Sequence, residues 1–68
     1  MDVKDLFAIF KTAIDNERDA YDFYRTAAAG ASDPETRELF EELADTELGH
    51  ERKLEKRYRE LKGKYSGE

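Results

Sequence analysis

A chain of 68 residues, 43% charged and 38% hydrophobic, is one small domain at most, and a core this small makes a partner subunit expected. The net charge of −5 excludes nucleic acid as the main partner, and the absence of cysteine excludes disulfides, thiolate zinc sites and iron–sulfur or iron–thiolate centres. Four glycines and one proline among abundant Ala, Leu, Glu, Lys and Arg make the class all-α.

The opening "MDVKDLFAIF" lacks the continuous apolar run of a signal peptide, and no stretch approaches the roughly 20 apolar residues of a membrane span. No membrane partner and a cytoplasmic location are the expectation. A first helix is predicted from about Val3 to Ala29. Spacing alternately by three and four gives the stripe Val3, Leu6, Phe10, Ala13, Glu17, Ala20, Tyr24 and Ala27, whose period of about 3.5 is that of a bundle seam.

"GASDP", Gly30 to Pro34, is the only cluster of helix breakers. Gly30 suits a left-handed helix C-cap, Asp33 an N-cap and Pro34 the first helical position, so residues 30–33 read as the turn of a helical hairpin. The second helix is predicted from about Pro34 to Lys62, each helix being roughly 40 Å long at 1.5 Å per residue. The tail "GKYSGE", residues 63–68, is expected to fray. Early Glu35, Glu38, Glu41 and Glu42 and late Arg52, Lys53, Lys56, Arg57, Arg59 and Lys62 complement the helix dipole, and the basic run reads as a solvated helix end.

The second stripe runs Phe40, Leu43, Glu47, His50, Leu54 and Leu61. Glu17, Glu47 and His50 are thus the polar interruptions of two apolar stripes, each glutamate seven residues after a phenylalanine. Ser32 lies fifteen residues from either glutamate, so folding the hairpin brings the carboxylates level, with His50 one turn away on the same face. A carboxylate in a seam must pair, protonate or bind a cation. Glu-x-x-His alone is weak evidence in a chain with ten glutamates; the third ligand at the same height is what strengthens it. The plain alternative is a polar network that fixes helix register.

A hairpin cannot enclose its own apolar stripe, and a two-fold dimer forming a four-helix bundle is the common remedy. Dimerisation would assemble four glutamates and two histidines, whose carboxylates balance two divalent cations. Such a set suits iron, manganese or zinc. Phe7, Phe10 and Phe40 read as core, Tyr21 and Phe23 as packing, and Glu51 as a surface residue or a ligand guiding metal inward.

"NERDAYDFYRTAA" followed by "SDPETRELFEELADTELGHERKL" resembles the rubrerythrin branch of the ferritin-like superfamily, and the chain is similar to its short single-hairpin members, including encapsulated ferritins. The resemblance implies two iron ions per dimer and Fe(II) oxidation by dioxygen, a ferroxidase-type oxidoreductase activity. It implies Glu17 as a terminal ligand, Glu47 as the carboxylate able to bridge, and His50 as the terminal imidazole. It also implies that Tyr24 hydrogen-bonds a ligand carboxylate, against ordinary bundle packing for the same ring. A homodimer or higher oligomer follows, with an encapsulin shell as a candidate partner and its interior as a candidate location, although "KGKYSGE" carries no convincing targeting tail. Rubrerythrins often carry a further glutamate where this chain has Ala20; that departure and the missing rubredoxin centre count against peroxide reduction. A metal-holding module without turnover and a purely structural hairpin stand as the alternatives.

Overall fold

A computed structural model describes residues 1–65, which form two antiparallel helices, α1 (Val3–Gly30) and α2 (Pro34–Tyr65). Together they make a rod of 53 × 15 × 15 Å. Among the described residues no helix is long and apolar enough to cross a membrane.

Each helix starts on an aspartate. Asp2, in extended backbone, accepts the Lys4 N–H at 3.0 Å and opens α1. Asp33 does the same for α2: its Oδ2 accepts the Thr36 N–H at 2.9 Å and the Thr36 hydroxyl at 2.7 Å, with Pro34 next to it at the position that has no N–H to offer. Between the two helices lie only Ala31, Ser32 and the capping Asp33.

Two expectations about helix ends are corrected. Gly30 is not a left-handed cap, because no residue described has a positive φ; α1 runs through Gly30 and leaves through Ala31 in extended backbone (φ −77°, ψ 126°). The reason is that the end of α1 is served from elsewhere. The Ala31 N–H donates to the Ala28 carbonyl at 3.2 Å, and Arg37 reaches back from α2 to donate to the Ala31 carbonyl from Nε (3.3 Å) and Nη2 (2.9 Å). At the other end α2 continues past Lys62 to Tyr65, so residues 63–65 are helical rather than frayed, while 66–68 lie outside the described residues. Lys62 and Lys64 complement the C-terminal dipole there and lie over the rings of Tyr58 and Tyr65, at 5.5 and 5.4 Å.

The contact line between the helices lies one residue round from the stripes. Ile14, Ala28, Ala44 and Glu51 are buried, and each directly follows a stripe residue: Ala13, Ala27, Leu43 and His50. Since consecutive helix positions differ by about 100°, this rotation leaves the stripes on the open face of the hairpin. Phe10, Ala13, Ala20, Tyr24, Phe40, Leu43 and Leu54 are accordingly half-buried, whereas Leu61 is the one stripe residue fully tucked in. Two aromatic bridges cross between the helices along this face. Tyr58 stacks on Phe10 (6.1 Å) and meets Phe7 edge-on (5.6 Å), and Tyr24 stacks on Phe40 (6.3 Å).

The hydrogen bonds from Thr36 hold the Asp33 carboxyl below its ordinary value of 3.8. A carboxyl with a depressed folded-state pKa contributes stability above its unfolded pKa and loses it as pH falls through the folded one. Asp33→Ala should therefore lower the melting temperature at pH 7, and the gap to the parent protein should close as the pH drops below 3.8, read by circular dichroism melts across a pH series. A gap that stays constant into acid would show that the cap acts without its charge.

Candidate metal centre

Glu17 is carried by the middle of α1, and Glu47 and His50 by the middle of α2, on the open face between the two aromatic bridges. The helices are uninterrupted here, so the i, i+3 spacing sets Glu47 and His50 on one side of α2. The antiparallel register brings Glu17 to meet them.

Ligand atoms of the three residues all lie within 4.8 Å of one another. The Nδ1 atom of His50 is 3.3 Å from Glu17 Oε2 and 3.8 Å from Glu47 Oε2, so this nitrogen, rather than Nε2, is the one aimed into the cluster. With a proton on Nδ1 the ring donates to Glu17; a cation between the three residues would take that proton's place. The glutamate side chains are 25% and 22% exposed and the histidine 50%, which leaves the cluster lined by protein on one side and open on the other. Two carboxylates and an imidazole fit a divalent iron, manganese or zinc ion, and three donors fall short of the coordination such ions take in closed sites.

Charge in the cluster is unfavourable without a cation. The Glu47 carboxyl is held above its ordinary value of 4.5, first because it shares a hydrogen bond with the Glu17 carboxyl, then through partial burial and repulsion from the Glu17 charge; His50 pulls in the opposite direction. The structure thus brings Glu17, Glu47 and His50 together. Tyr24 sits on the same face, packed against Phe40 and edge-on to Phe23 at 5.4 Å, and among the described residues its hydroxyl makes no hydrogen bond to either glutamate.

One reading from the sequence is corrected. Glu51 is neither on the surface nor turned toward the cluster: it is 7% exposed and accepts a hydrogen bond from Arg18 Nη2 at 2.7 Å. The same guanidinium lies 3.6 Å from Glu55, and Glu51 holds Arg18 more firmly in its charged form. A signal for this pair was present. Arg18 follows Glu17 and Glu51 follows His50, so helices that bring the first two residues together also bring opposite charges together one position on.

A family model described as rubrerythrin matches residues 4–68. No curated protein and no solved structure matches the chain.

A carboxyl whose folded pKa is raised favours the folded state while protonated, and that contribution is lost as pH rises through the folded value. In metal-free protein, Glu47→Gln should be neutral below pH 4.5 and increasingly stabilising relative to the parent above it, because glutamine never acquires the penalised charge. Melting temperatures of both proteins in chelator across pH 4 to 8 provide the check. Divalent metal should reverse the order, since binding requires the proton to leave.

Proposed function

The chain belongs to the rubrerythrin family, and on that premise we propose that it is a di-iron carboxylate protein that binds Fe(II) at a dimer interface and oxidises it with dioxygen. The observation that carries this reading is the convergence of Glu17, Glu47 and His50 on the half-buried face that the hairpin leaves open. Two copies that meet over those faces form a four-helix bundle and cover the apolar stripes. Because the cluster lies near the midpoint of both helices, a two-fold axis at that level joins the two half-sites into four carboxylates and two imidazoles.

In that assembly Glu17 and His50 of each copy would serve as terminal ligands and Glu47 as the carboxylate able to serve both metals. Two Fe(II) ions held there would each give one electron, a two-electron reduction of dioxygen with both irons left as Fe(III). The chain's own contribution is positional. The bridges Phe10–Tyr58 and Tyr24–Phe40 flank the cluster along the rod and keep water from it, and the bundle closes the side that the single hairpin exposes. A cation entering the cluster would displace any proton shared between Glu47 and Glu17 and offset the charge of both carboxylates. In the closed bundle the Tyr24 hydroxyl takes a ligand carboxylate as its hydrogen-bond partner.

A second reading, a metal-holding module without turnover, is favoured by the donor set itself: two carboxylates and an imidazole are equally the ligands of a redox-inert ion. Zinc would occupy such a site with no redox chemistry. Anaerobic Fe(II) titration with metal analysis, followed by admission of air, separates the readings. The expected result is two irons per dimer and a new near-ultraviolet absorption in air, with both lost in Glu47→Ala and His50→Ala. Stoichiometric binding without the absorption change would favour the holding module. A chain that stays monomeric in sedimentation, or binds no iron, would overturn the proposal.

A further inference from the structure

The buried charge at Glu51 serves neither the apolar contact line nor the ligand cluster, and it occupies a place where an apolar residue would pack without cost. The Arg18 side chain that meets it is 56% exposed, so the pair is half in solvent and adds little stability, and a buried carboxylate kept in this position calls for a reason other than stability. Its neighbours suggest one. The remaining buried contacts between the helices are Ile14 on α1, the alanines Ala28 and Ala44, and Leu61 near the end. The short turn and the two aromatic bridges fix the coarse register, but none of these contacts lies at the height of the ligands, where a shift of a single turn would carry Glu17 about 5 Å along the rod from Glu47 and His50.

The Arg18–Glu51 pair lies at that height. It joins residues 33 apart, as the Glu17–His50 contact does, and each of its members directly follows a ligand. The charge-assisted hydrogen bond of 2.7 Å ends on the buried Glu51 carboxylate, while Glu55, one turn on, lies 3.6 Å from the same guanidinium in the observed register. Being about 100° round each helix from the ligands, the pair lies on the flank of the contact line away from the cluster, where it can hold the helices without competing for metal.

We propose that Arg18 and Glu51 are positioning residues: their ion pair fixes the register of α1 against α2 and thereby sets Glu17 level with Glu47 and His50. The proposal rests on the metal reading above for its functional half and on the hairpin alone for its structural half. It also orders three properties that a purely stabilising pair would leave tied together. Removing the pair in favour of apolar side chains degrades register and metal affinity while leaving the melting temperature unchanged or higher. Exchanging the two charges restores register and affinity.

The experiment reads the two halves separately. The described chain contains no cysteine, so spin labels on Asp22→Cys and Asp45→Cys, both exposed and on opposite helices, report the register by pulsed dipolar distance measurement in protein diluted with unlabelled chain. Unlabelled protein is titrated with Co(II) alone. The parent should give one narrow distance, and the Arg18→Met/Glu51→Leu double variant a broadened or displaced distribution with Co(II) affinity lowered about 10–100-fold, the usual effect of losing a group that orients ligands. Arg18→Glu/Glu51→Arg should recover both. An unchanged distance distribution or an unchanged Co(II) affinity in the Met/Leu variant overturns the proposal. If the parent itself binds no Co(II), the metal reading fails, and the distance distributions still decide whether the pair sets register.

Discussion

Glu17 and Glu47 carry like charges to the same height of a rod only 15 Å across, and the repulsion between them is the constraint around which the hairpin is built. Nothing in a two-helix fold requires carboxylates in mid-stripe, and the hydrogen bond they share, with partial burial and their repulsion behind it, holds the Glu47 carboxyl above its ordinary value. His50 answers only part of that charge. The aromatic bridges, the ion pair behind the cluster and the capped turn all serve to hold the repelling groups in place rather than let them separate. A bound cation would relieve that tension, which is the reading proposed above for this member of the rubrerythrin family.

Stability and site geometry are therefore assigned to different surfaces. On the contact line a few apolar side chains, two of them alanines, supply modest burial, and among the described residues Glu51 is the one charged side chain buried there. On the open face, large aromatic and aliphatic groups are only half covered, and Ile9, Phe23 and Leu39 are each at least half exposed. The hairpin thus leaves large apolar side chains uncovered that a second copy, in the assembly proposed above, would bury. That division explains how so polar a chain can hold a folded shape, if the bundle rather than the hairpin is its working unit.

Much of this was legible in the residues, and for identifiable reasons. Asp33 and Pro34 mark the start of α2 because their chemistry is local: a side-chain acceptor and a missing N–H act within one turn. The seven-residue steps from Phe10 to Glu17 to Tyr24 and from Phe40 to Glu47 place the cluster because helical periodicity fixes which residues share a face. What the pattern did not reveal is which neighbour each face meets. An apolar stripe is wide enough to be divided between the other helix of the same chain and a second chain, and only the packed structure shows that Ala13 and Leu43 stay open while Ile14 and Ala44 close. Gly30 was misleading because its usual role depends on carbonyls being unserved, and Arg37, seven residues later, serves the end of α1 instead. Glu51 was misleading because solvent is the default assignment for an isolated glutamate, and its partner lies on the other helix.

The central position of Glu17, Glu47 and His50 along their helices has a further consequence, in time rather than space. Helices loosen from their ends, and local opening of a hairpin is least frequent at its middle. In the proposed bundle an ion held there would lie as far as the rod permits from every helix end and from the turn. Its escape would then require separation of whole protomers rather than the frequent breathing of single helix turns. Residence of the metal and lifetime of the assembly would become one kinetic quantity, each lengthening the other.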